Sequence, residues 1–136
     1  MDLQDGGMCF ACGPKNPIGL KLKFEFEDGV YTARFTPGPE HQGYDLITHG
    51  GIVTTLLDEA MAKLVFVQGH FAVTAEINVR FRRPAMVGDE LTVTGRVLAE
   101  AHRLLDCAAE IRNSNGELIA EASGKMMKVR ESEARA

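Results

Sequence analysis

Cysteine is scarce, long apolar runs are missing and positive charge is in the minority, and each shortage closes off a class of protein. The 136 residues hold three cysteines, an odd count that argues against a disulfide framework and for a reduced, cytoplasmic setting. No stretch approaches the roughly 18 consecutive apolar residues of a membrane span, so no membrane association is expected. The start, Met1 to Gly7, lacks a basic region followed by an apolar run, so no secretory signal is read there. Fifteen Lys and Arg against 19 Asp and Glu give a formal net charge of −4. That balance lacks the basic footprint of a general nucleic-acid binder, though it is compatible with one local anion site. What remains is ordinary: 45% hydrophobic and 25% charged residues, as in soluble globular proteins. The length suits a single domain over residues 1–136, with frayed ends at about 1–7 and 130–136.

Two of the cysteines stand as Cys9-Phe10-Ala11-Cys12. This CxxC spacing invites zinc, but a structural zinc site normally takes four ligands and no second pair follows. A redox dithiol would open a helix within a βαβ pattern, and this pair does not. The sequence reading is therefore no metal and no redox cofactor.

Alternating residues from Leu20 to Glu27, an Asp28-Gly29 turn and a second run from Val30 to Phe35 predict a hairpin. Residues 36–48 read as a loop. From Gly50 to about Gln68, Val53, Leu56, Leu57, Ala60, Met61 and Leu64 recur at helical spacing, with Gly69 placed to end the helix. Strand-like runs follow at Phe71–Phe81, Glu90–Leu98, Leu104–Arg112 and Leu118–Val129, the last two joined by an Asn115-Gly116 turn. Two strands, one amphipathic helix and four strands on short connections imply an α+β fold. In it, a curved antiparallel sheet of about six strands wraps around one long central helix.

The chemistry concentrates in His49-Gly50-Gly51-Ile52-Val53-Thr54-Thr55-Leu56-Leu57-Asp58-Glu59-Ala60. Paired glycines at a helix start allow close approach to backbone amides that lack intrahelical partners and sit at the positive end of the dipole. Such amides can hold an anion or a carbonyl oxygen that is becoming one, although a Gly-Gly pair can also serve only as a tight turn. At 100° per residue, Asp58 falls on the flank of the apolar stripe, beside Thr54, Met61, Ala62 and Val65. Glu59 projects elsewhere, with Lys63 four residues on as a surface ion-pair partner. Asp58 is thus the acid without a bland explanation, and a carboxylate in partly apolar surroundings is a functional-site candidate.

The segment HGGIVTTLLDEAMA, with an acid nine residues after the His, resembles the signature of PaaI-type hotdog acyl-CoA thioesterases. The resemblance runs from Cys9 to Lys128, through CFACGPKNPIGL, the HQG of His41 to Gly43 and TAEINVRFRRP. It implies the hotdog fold and hydrolysis of an acyl-CoA or related thioester. Asp58 would be the nucleophile or general base and the Gly50 N–H the oxyanion donor, with Gly51 beside it. Thr74 would help place the water, and His49 would shape the loop before the helix in preference to acting as base. Some relatives carry an amide side chain at the position of Gly43 to contact the thioester, and Gln42 is next to it. Arg82 and Arg83, with Arg80, form a basic spot that could receive coenzyme A phosphates or could simply be a solvated face. The resemblance also implies a homodimer, or a dimer of dimers, with shared active sites. Two rivals stay open: a non-catalytic acyl-CoA-binding module, and a hotdog hydratase or dehydratase.

Overall fold

An 18-residue helix, α1 (Gly50–Val67), carries the apolar stripe that the sequence pattern predicts. The structure is a computed structural model that describes residues 6–27 and 30–129. Val53, Leu56, Leu57, Ala60, Met61 and Leu64 are all buried, joined by Val65, because spacings of three and four residues fall on one helical face. Taking each large aliphatic side chain out of water contributes about 1.5–3 kcal/mol, so this face fixes how the helix sits. Gly69, just past the helix, has φ 93°, the left-handed conformation that lets a helix end sharply.

Six strands form one sheet: β1 (Glu25–Glu27), β2 (Val30–Phe35), β3 (Ala72–Phe81), β4 (Leu91–Glu100), β5 (Leu104–Arg112) and β6 (Leu118–Lys128). Their spatial order is β1-β2-β4-β5-β6-β3, and every neighbouring pair is antiparallel. The helix packs against β2 through β6, so the sheet curves around it in the hotdog arrangement. Gly95 of β4 permits a close approach, since a Cβ there would fall on the Ala60 carbonyl of α1. No helix among the described residues is long and apolar enough to cross a membrane.

One strand expectation is corrected. The first strand is three residues long, not eight. Leu20 and Leu22 are buried, but their N–H groups bond to the carbonyls of Phe10 and Ala11 at 2.8 and 2.9 Å. Lys21 between them is left-handed, with φ 55°. This segment therefore pairs with the CxxC loop and joins β2 only from Glu25 onward, while the expected turn at Asp28-Gly29 lies outside the described residues. The order of the strands in the sheet, which the sequence reading leaves open, sets β3 apart from β4 although the two follow one another in the chain. The chain crosses the helix to the far edge, pairs β3 with β6 alone and returns to the centre for β4.

Candidate active site

His49 caps α1: its Nδ1 accepts the Gly51 N–H at 2.8 Å. This contact needs an unprotonated Nδ1, so the imidazole proton sits on Nε2. It also commits the Gly51 amide to the cap. The N–H groups of Ile52 and Val53 both bond to the His49 carbonyl, at 2.9 and 3.2 Å. Among the described residues the Gly50 N–H has no acceptor, which makes it the open donor of this helix start.

Two clefts meet at Gly50. One, of about 450 Å³, is lined by Gly43, Tyr44, Ile47, Thr48, His49 and Gly50. The other, of about 320 Å³, runs from Ile47, Thr48, Gly50 and Val53 to Phe81, Arg82 and Arg83. The structure thus brings the open amide, Gly43 and both arginines around one helix start. The arginines are not unpartnered: Arg82 Nε lies 3.3 Å from Glu121 and Arg83 Nη1 lies 3.2 Å from Glu117. Both pairs are exposed and of little energetic weight, so they can be exchanged for another anion. Gln42 lines neither cleft. Its Oε1 accepts the Leu46 N–H at 2.7 Å and holds a loop in which Leu46 is left-handed, with φ 63°.

Asp58 and Thr74 come together two turns further along the helix. The Thr74 hydroxyl donates to Asp58 Oδ1 at 2.7 Å and lies 3.5 Å from the Met126 sulfur. A β-bulge makes this contact: the register of β3 against β6 shifts between Thr74 and Glu76, leaving Ala75 as an extra residue. An extra residue bends a strand and re-aims its side chains. With one oxygen of Asp58 held by Thr74, the other is left for a water or a substrate.

The sequence reading of Glu59 is overturned. Glu59 is half-buried and faces the CxxC loop, with Cys9 Sγ 3.9 Å from its Oε1. Lys63 instead lies over the Phe66 ring, its Nζ 5.2 Å from the centroid.

Thr48 is a residue that the sequence reading missed, because nothing in its local pattern marks it. It lines both clefts and is only 5% exposed, yet its hydroxyl has no hydrogen-bond partner among the described residues. A buried, unpaired hydroxyl costs about 1–3 kcal/mol. Thr48→Val should accordingly raise the urea midpoint, by a stability gain of about 1 kcal/mol. A lowered midpoint would mean that the hydroxyl is paired in solution.

Residues 47–120 match the thioesterase superfamily. Human acyl-coenzyme A thioesterase 13 is 31% identical over 85 residues, covering 60% of this chain and 61% of that protein. The mouse protein of the same name is 30% identical over 76 residues, covering 54% of each. The chain thus matches less than two-thirds of the length of these mammalian relatives. Among solved structures, the E. coli PaaI protein from the phenylacetic acid degradation operon is 26% identical, with a TM-score of 0.76 over 82% of this chain and 81% of that one. A Streptococcus mutans protein solved with acetyl-CoA bound is 23% identical, with a TM-score of 0.72 over 79% of this chain and 88% of that one. The superfamily match, which spans more than half of the chain, and the likeness to PaaI together identify it: the chain belongs to the thioesterase superfamily, on a PaaI-type hotdog fold.

Proposed function

We propose that the protein is a cytoplasmic thioesterase that hydrolyses acyl-CoA, or a related thioester, to a free acid and a thiol, with no metal or redox cofactor in the reaction. The observation that carries this reading is the Thr74–Asp58 hydrogen bond on a helix whose start presents the open Gly50 amide. A carboxylate and an oxyanion donor are what thioester hydrolysis requires. Water attacks the carbonyl carbon as Asp58 takes its proton, or Asp58 attacks first and water then releases the acyl group. In either route the carbonyl oxygen gains charge at Gly50 and the thiolate leaves, to be reprotonated as the thiol. The acetyl-CoA bound to the streptococcal protein supports the choice of substrate class, and the names of the mammalian relatives support the reaction.

One chain does not complete this site. Gly50 and Asp58 belong to the same continuous helix, and eight residues at 1.5 Å each separate them by roughly 12 Å. A reacting carbonyl needs its oxygen about 3 Å from the amide and its carbon about 3–3.5 Å from the carboxylate or from the water that the carboxylate activates. Two antiparallel copies of α1 meet this demand, because each sets its start beside the middle of the other. The edge strand β3 supports such a dimer. It is ten residues long, has β6 on one side only and exposes Val73 and Phe81, and an edge of that kind calls for a partner. The active unit is therefore a homodimer, or a dimer of dimers, with shared sites.

The test is thiol release over a panel of aliphatic and aromatic acyl-CoA thioesters. Steady release with at least one of them is the expected result. Conversion of an enoyl-CoA without thiol release would favour a hydratase, and tight binding without turnover a sensor. In the same assay Arg82→Ala and Arg83→Ala, singly or together, should mainly raise KM, and added salt should mimic the change.

A further inference from the structure

The CxxCG loop has no part in the reaction proposed above, yet the fold closes it onto α1. The Gly13 N–H bonds to the Cys9 carbonyl at 2.8 Å, and Lys15 to the Gly7 carbonyl at 2.9 Å. The loop is then fixed to the following segment through Phe10–Leu20 and Ala11–Leu22. Gly13 is required for this wrap, since a Cβ there would fall on the Cys9 backbone. The result is a pinned turn that presents two sulfurs to the helix. Cys9 Sγ, Cys12 Sγ and a Glu59 oxygen all lie within 4.8 Å of one another, and all three residues are half-buried.

We propose that Cys9, Cys12 and Glu59 form a binding site for a borderline-soft divalent cation of the zinc class, with water as the fourth ligand. In a tetrahedral site with Zn–S near 2.3 Å and Zn–O near 2.0–2.2 Å, neighbouring ligand atoms stand about 3.5–3.8 Å apart. The Cys9–Glu59 separation of 3.9 Å is just above that range, and the others, within 4.8 Å, need close by no more than about 1.3 Å. Two thiolates select against magnesium and calcium, which prefer an all-oxygen shell. Binding replaces coordinated waters on the cation and sends two thiol protons to solvent, leaving two thiolates, one carboxylate and a dication with net charge of one minus.

The surroundings fit such an ion. The Cys12 thiol is pushed well above its ordinary value, by burial first and then by Glu59 and Cys9. The buried Tyr31 phenol is also raised, by burial first and then by Cys12 and Glu59. The proposal itself stands on the geometry: two sulfurs and a carboxylate oxygen converge in one half-buried cluster. The sequence reading set zinc aside because no second CxxC follows. The third ligand instead comes from the helix, fifty residues after Cys9, on the residue that follows Asp58. The cation would thus clamp the N-terminal loop to α1 beside the proposed catalytic acid. This inference does not depend on the thioesterase reading.

The test uses the whole protein, reduced and stripped with a strong chelator, and cobalt(II) as the probe. Cobalt should bind at one equivalent per chain with intense sulfur-to-metal absorption, and zinc should displace it. Cys9→Ser or Cys12→Ser should abolish most of that absorption, and Glu59→Gln should weaken cobalt binding at least tenfold. Should a cysteine variant fail to fold, thiol labelling of the unmodified protein answers instead. Zinc should slow modification of Cys9 and Cys12 at least tenfold, as located by peptide mass. Absence of a sulfur-to-cobalt band together with unprotected thiols would overturn the proposal, and so would cobalt affinity unchanged by Glu59→Gln.

Discussion

Asp58→Asn is expected to leave the fold intact and to lower kcat by about 10²-fold or more, the usual scale for losing a positioned general base. The substitution is close to isosteric. An asparagine carbonyl can still accept the Thr74 hydroxyl that now sits 2.7 Å from Asp58 Oδ1, so the helix and the bulged strand keep their contact. What disappears is the negative charge and with it the proton acceptor. A carboxamide neither takes a proton from water near neutral pH nor attacks a thioester. Thr74→Ala removes only the hydrogen bond to Asp58, and on the proposed mechanism it should cost less, about tenfold. Steady-state kinetics with melting curves for both variants separates chemistry from stability. Full activity in a well-folded Asp58→Asn protein would remove Asp58 from the reaction.

How much of this was legible in the sequence follows from the range of the interactions involved. The helix was readable because Val53, Leu56, Leu57, Ala60, Met61 and Leu64 repeat at 3.6 residues and all are buried. The span of β5 matches the alternating run from Leu104 to Arg112, and β3 begins one residue inside its run. Asp58 stood out because it breaks an apolar flank, and Thr74 came from the family resemblance. That the two touch depends on the bulge at Ala75, which a cleanly alternating run does not announce. The failures share one cause. Leu20 to Phe24 alternates like a strand, but the CxxC loop takes its hydrogen bonds. Glu59 has Lys63 at the right spacing for an ion pair, yet the same loop supplies the cysteine beside it. Helical geometry shows which side of a helix a residue occupies. It does not show what a segment fifty residues away will lay against that side.

Mixing two inactive variants should restore activity if the site is shared between chains. Asp58→Asn removes the proposed base. Gly50→Pro removes the proposed oxyanion donor, since proline has no N–H, and it does so at the first helical position, where proline is well tolerated. A Cβ at Gly50 has room as well, since it would meet only the Phe81 ring, at 3.6 Å, an ordinary contact. Each variant alone should lose about 10²-fold or more in kcat, because each homodimer lacks one element in both sites. After unfolding and refolding together, random pairing makes roughly half of the dimers mixed, and each mixed dimer holds one good site in two. That site joins Gly50 of the Asp58→Asn chain to Asp58 of the Gly50→Pro chain. The mixture should therefore regain about a quarter of the unmodified activity, far above either parent. If both elements act within one chain, every site in every dimer stays broken and mixing changes nothing. Native mass spectrometry counts the mixed dimers directly. Their presence without recovered thiol release, from variants that each melt cooperatively, would defeat the shared-site arrangement and require Gly50 or Asp58 to be replaced by another group.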